Sequence, residues 1–199
     1  MEQNVSMKIN ELPSPTWNWL KVNETPIKWS NKIEPCEIAA EGDAVSTETE
    51  QLSDIETGAG READAIFATE NTAKYQILAD NAGQDKTVRL HISGKKDAHM
   101  AGSVEIVVKE NSTLTVVMDS RVAPDATKEE DSTAEASLAV RVRMKVESGA
   151  SVRLIQVQMP QEHETLLSDI GGDLIGEGAK VEYIEFPGCN PVSYTHLRA

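Results

Sequence analysis

Cysteine is scarce in this sequence: 199 residues hold two, Cys36 and Cys189. They lie far apart with no CxxC or Cys/His spacing, which excludes a disulfide framework and a closed zinc site and leaves two ordinary reduced thiols. Positive charge is scarce as well. Nineteen Lys and Arg face 33 Asp and Glu, a net charge of −14, so attraction to nucleic-acid phosphate or anionic lipid is not what this chain is built for. No run approaches the ~18 apolar residues of a membrane span. The opening Met1-Glu2-Gln3-Asn4-Val5-Ser6-Met7-Lys8 has no apolar stretch of the signal-peptide kind. The expectation is a cytoplasmic protein with neither nucleic acid nor membrane as partner.

What is present suits one medium domain or two small ones. Hydrophobic residues make up 39% of the chain, enough for a core but not along its whole length. From Glu34 to Glu70 eleven acids stand against one base, Arg61. A stretch with few large apolar groups and one sign of charge buries too little surface to offset chain entropy, so residues 34–63 are read as a solvated, partly helical connector. Before it, Pro13 and Pro15 block a regular helix until Thr16, which could cap a short one. Trp17, Trp19, Leu20 and Trp29 then carry more apolar surface than a free tail tolerates. Residues 1–33 are therefore read as a short helical arm that docks on the rest of the chain or on a partner.

Beyond Lys86 the pattern turns to short β-rich pieces: 87–92, 104–108, 114–118, 140–146, 152–157 and 181–186. Apolar residues alternate there with Arg, Glu, Thr or Lys, the period of a half-buried strand. A strand–turn–strand phrase recurs three times, as Val108-Lys109-Glu110-Asn111, Val146-Glu147-Ser148-Gly149 and Ile175-Gly176-Glu177-Gly178, each followed by an apolar-x-apolar strand. The fourth position is always Asn or Gly, the residues that tolerate positive φ. Successive fourth positions lie 149 − 111 = 38 and 178 − 149 = 29 residues apart. Recurrent short strands with turn glycines predict a mainly β chain forming a β-solenoid, each coil burying its apolar side on the next. A β-sandwich is the structural alternative.

Catalytic patterns fail one by one. His163-Glu164-Thr165-Leu166-Leu167 opens like the zinc-protease HExxH but has Leu167 where the second histidine belongs, so one helix face could not hold the metal. Gly171-Gly172-Asp173-Leu174-Ile175-Gly176-Glu177-Gly178 lacks the GxGxxG order and leads into a strand, where a phosphate loop leads into a helix. The acids Glu129, Glu130 and Asp131 sit in a loop context. His91 falls on a strand and His99 in a polar turn, Lys95-Lys96-Asp97-Ala98-His99. No catalytic site and no metal site is expected, and the chain is read as a non-enzyme.

Two stretches resemble a family. The arm from Leu12 to Asn23, and above all Val146 to Gly188 with Leu154-Ile155-Gln156-Val157-Gln158, Gly171, Gly176, Gly178-Ala179 and Tyr183, are similar to the SufB/SufD scaffolds of iron–sulfur cluster assembly, the SufD-like branch fitting better. The likeness covers roughly residues 8–29 and 64–188. It implies a right-handed parallel β-helix, here a partial core over 64–188, working with a SufB-like paralogue and the ABC-type ATPase SufC. The cluster would belong to the assembled SufBCD complex and to no site of this chain alone, because SufB-type cysteine ligands have no counterpart here. The C-terminal helical region on which the ATPase docks in that family also has none. One residue carries over, Gln158, matching a glutamine of the family's Val-Gln strand that lines the helix interior. Residues 189–199 continue neither the repeat nor the family, and Val192 to Ala199 reads as a translated sequencing adapter, a non-native tail on a fragment. The competing functional readings are a secreted-type β-helix enzyme acting on acidic polysaccharide and a structural β-repeat protein. The absent signal-like stretch and the dispersed charges weigh against the first, and the irregular spacing against the second.

Overall fold

The computed structural model describes residues 4–9, 25–30, 32–43, 52–68, 71–122, 136–161, 164–188 and 192–199. The chain is mainly β, in two mostly parallel sheets. One holds β12 (Lys180–Phe186), β10 (Ser151–Gln158), β8 (Thr113–Arg121), β6 (Asp85–Ser93) and β4 (Glu37–Gly42) in that order. All its neighbours are parallel except β4, which runs antiparallel to β6. The other holds β13 (Val192–Arg198), β11 (Glu164–Leu174), β9 (Ala136–Val146) and β7 (His99–Val108), with β3 (Glu34–Pro35) and β5 (Ala73–Ala79) both beside β7. From β5 to β13 every successive strand changes sheet.

The alternating sequence pattern explains the first sheet directly. Along β6, Val88, Leu90 and Ile92 are buried while Thr87, Arg89 and His91 are exposed, the period-2 division of a sheet with one face in water. These inward side chains meet those of the second sheet, including Ile77, Val104, Ile106, Leu138, Val142, Met144 and Ile170, in one continuous core. Parallel register stacks like on like: Val88 faces Val116 and Val116 faces Leu154, while Val104 faces Val142 and Val142 faces Ile170.

The central strands of the second sheet, β7, β9 and β11, are buried on both faces, as parallel sheets usually are. Its outer face is covered by 52–60 and by α1 (Arg61–Phe67). Leu52 and Ile55 pack on Val107 and Leu78. Ala59, Ala63, Ile66 and Phe67 pack with Trp29 and Ile33 on Ala101, Ala139 and Leu167. The stretch read as a solvated acidic connector thus contributes, over its described residues, two strands and a packed strap. A handful of apolar residues suffices because each lands on an existing sheet, and the acids between them point to solvent. Close approach is made possible by Gly171, where any Cβ would collide with the Glu56 carbonyl oxygen.

A buried carboxylate fixes the strap. Asp169 is fully enclosed; it accepts hydrogen bonds from the Ala59 amide at 2.8 Å and from Thr57 Oγ1 and Arg141 Nε at 2.7 Å each. Arg141 Nη1 reaches Asp64 on α1 at 2.8 Å, and its guanidinium lies 4.1 Å over the Phe67 ring.

The recurrent turns stack as their sequence suggested. Asn111, Gly149 and Gly178 have φ of 57°, 67° and 78°. The Asn111 amide donates to Ser148 O and the Gly149 amide to Glu177 O. A fourth member, Gly83 at φ 77°, donates to Asn111 O. Spacing from Gly83 onward is therefore 28, 38 and 29, and the long interval contains 123–135, which lie outside the described residues.

In the N-terminal region the described residues form β1 (Asn4–Ile9) and β2 (Thr25–Ser30), an antiparallel pair. The helix expected from Thr16, with Trp17, Trp19 and Leu20, lies outside the described residues. Among the described residues no helix is long and apolar enough to cross a membrane.

Candidate functional site

Two neighbouring columns inside the core change character along the stack. In one, Leu90 is followed by Met118, then Gln156, then Glu185; in the other Ile92 is followed by Ser120, then Gln158. Strand parity forces these positions inward, because Val152, Leu154, Gln156 and Gln158 share one face of β10. The polar residues are therefore buried by the same pattern that buries the apolar ones before them. Gln156, Gln158, Ser120 and Ser168 are all fully enclosed.

A hydrogen-bond cluster ties the positions together. Gln156 Oε1 accepts from Ser168 Oγ at 2.9 Å, from Tyr183 Oη at 2.8 Å and from Gln158 Nε2 at 3.2 Å. Gln158 Nε2 also donates to Glu185 Oε1 at 2.8 Å. Ser168 comes from β11 on the facing sheet, so the cluster bridges the two. Two enclosed atoms in it, Gln156 Nε2 and Gln158 Oε1, and the enclosed Ser120 Oγ in register with Gln158, have no protein partner. An unsatisfied buried polar group costs about 1–3 kcal/mol, so a stable core keeps such a concentration only where water or another polar species completes it. Carboxamides and hydroxyls can solvate such a species through donors and acceptors at once, and Glu185, only partly enclosed, sets the charged end of the column.

Gln158, the position singled out from the sequence, thus faces the core and belongs to this cluster. Gln156, Ser168, Ser120 and Glu185 were not singled out. The signal was available for Gln156: it sits two residues before Gln158 at the parity of Val152 and Leu154. Ser168 carried no comparable signal, because its strand is buried on both faces and does not alternate.

The other candidates are dispersed. Glu164 begins β11 and accepts from the Gln161 amide at 2.7 Å; burial pushes its carboxyl above the usual range, and a strand cannot present the helical zinc face. His163 and the acids 129–131 lie outside the described residues. Gly171 and Gly172 are strand residues, and Gly176 and Gly178 belong to a turn. His91 lies on the outer face between Glu41, at 3.3 Å, and Asp119, at 3.6 Å. The bond to His91 is the main cause holding the Glu41 carboxyl below its ordinary value. His99 meets Ser137 Oγ at 3.1 Å and its ring lies tilted at 52° beside Trp29, centroids 5.8 Å apart. Cys36 is enclosed near Gly102, and burial pushes its thiol up to about 12; Cys189 lies outside the described residues. Among the described residues no three His, Cys, Asp or Glu side chains gather as metal ligands would.

Compared with models of known protein families, with curated proteins and with solved structures, the chain matches none.

Proposed function

We propose that the chain is a SufD-like scaffold subunit of iron–sulfur cluster assembly, and that its two sheets are opposite sides of successive coils of a right-handed parallel β-helix. The observation that carries the reading is the alternation of parallel strands between the sheets from β5 to β13, with stacked turns at Gly83, Asn111, Gly149 and Gly178. A β-sandwich is built mainly from antiparallel strands that remain within one sheet through each hairpin, and it gives no reason for that alternation. The glutamines of β10 face inward, as the resemblance implies for Gln158.

Such a scaffold acts through surfaces. Its partners are a SufB-like paralogue and a SufC-type ABC ATPase, and the cluster is cargo of the complex, assembled in the cytoplasm without catalysis or a resident cofactor on this chain. The test is co-expression of the tagged chain with a SufB-like paralogue and a SufC-type ATPase. Recovery of all three together through size-exclusion chromatography supports the reading. Recovery of the folded chain alone, with the other two associating without it, overturns it. Turnover of a polyuronate by the purified chain would instead support a polysaccharide-active enzyme.

A further inference from the structure

The strap that covers the second sheet does not cover it evenly. Apolar packing seals it at both ends, around Leu52 and Ile55 and around Ala59 to Phe67. Between these seals two cavities of about 300 Å³ each share Ser53, Asp64 and Arg143. They differ in charge balance. One adds Lys74, Arg141 and Glu105; the other adds Asp54 and Glu56 and no further base. Arg143 stands where they adjoin. Its Nε is held by the Ile55 carbonyl at 3.1 Å, which aims the rest of the guanidinium along the cavities.

Arg141 adds a second observation. Its side chain is only 3% exposed, and although Nε and Nη1 are occupied by Asp169 and Asp64, the enclosed Nη2 has no acceptor. A buried guanidinium with an unmet donor beside a cavity is the feature expected where an oxyanion completes a site. A simple anion, however, would also meet the carboxylates of the adjoining cavity.

We propose that this groove binds a small zwitterion of the amino-acid class. Its carboxylate lies at the Lys74 and Arg141 end, its ammonium at the Asp54 and Glu56 end, and Arg143 and Asp64 stand between them. Glu105, the acid at the first end, is engaged by Gln76 Nε2 at 2.9 Å and by the Leu52 amide at 3.4 Å, so each charge of the ligand meets a surplus of the opposite sign, which neither a dianion nor a dication can do. The volume suits a molecule at the small end of the range that protein pockets accept.

The test uses three probes of one length, γ-aminobutyrate, succinate and 1,4-diaminobutane, titrated calorimetrically into the whole chain at low salt. The expected result is saturable binding of γ-aminobutyrate at least about tenfold tighter than either other probe. Arg143→Gln should weaken it by about tenfold or more, with circular dichroism confirming the fold. The pair Asp54→Asn and Glu56→Gln, both at exposed positions, should bring succinate level with γ-aminobutyrate, and decides the matter if the arginine variant does not fold. Equal binding of all three probes, no saturable binding of γ-aminobutyrate, or no change of preference in the double variant would overturn the proposal.

Discussion

Asp169→Ala is the perturbation that most severely tests how the strap is held. The carboxylate is fully enclosed and has three donors: the Ala59 amide, Thr57 Oγ1 and Arg141 Nε. Removing it orphans two strap donors and leaves the enclosed Arg141 charge with Asp64 alone, whose side chain is 55% exposed and correspondingly screened. Breaking a buried pair in this way costs about 3–5 kcal/mol. Arg141→Ala should cost a similar amount, since it strands the carboxylate and removes the packing on Phe67. The double variant removes both charges together, so its cost should fall short of the sum by at least about 2 kcal/mol. Urea unfolding followed by circular dichroism measures all three, with unchanged slope showing that the midpoint reports stability. An Asp169→Ala cost below about 1 kcal/mol, or strict additivity, would refute the reasoning, because the pair would then behave as an exposed one.

Three further outcomes are expected. Gly149→Ala forces an L side chain into φ 67° and against the Asn111 side chain; it should cost at least about 1–2 kcal/mol by the same unfolding assay, the ordinary penalty of a left-handed non-glycine residue. Cys36, whose pKa rises from an ordinary 9.0 to about 12 in the fold, should resist thiol reagents at neutral pH until the protein unfolds. Because its folded pKa is the higher one, its contribution is fully present below pH 9 and is lost as pH rises toward 12; Cys36→Ser should flatten the fall in stability across that window. Gln158→Leu removes one unmet acceptor but takes a donor from Gln156 and Glu185, so its stability should change by less than about 1.5 kcal/mol. A larger loss would mean that the interior cluster is structurally indispensable.

The first sheet was legible because water on one side writes an alternation into the strand. Val88, Leu90 and Ile92 against Arg89 and His91 could be read directly. The second sheet was read only in part for the converse reason. β11 is enclosed on both faces, its Gly171 exists to let the strap pass, and glycines in sequence suggest loops before they suggest close approach. The strap itself was hidden by its charge: Leu52, Ile55 and Ala59 are too sparse to outweigh eleven acids unless the surface they meet is already known. β5 went unread because it opens with Ala73 and has Ile77 and Ala79 as its only fully enclosed apolar residues. The turn column was legible, since positive φ selects Asn and Gly wherever it occurs, although Gly83 was missed for want of an apolar residue at the start of its phrase. Of the interior cluster, Gln158 was reached through resemblance and Gln156 could have been reached through parity. Ser120 and Ser168 required the register between strands that are not adjacent in sequence.

The central claim is that this chain serves cluster assembly as a scaffold within a complex. The most direct measurement is reconstitution from iron, a sulfide source and ATP, with the SufB-like paralogue and the SufC-type ATPase, in the presence and absence of this chain, following the cluster's visible absorption. The account predicts that cluster forms at full yield only when the chain is incorporated in the complex, and that the chain alone accumulates none. Equal yield without it, with no association between the chain and its proposed partners, would contradict the account.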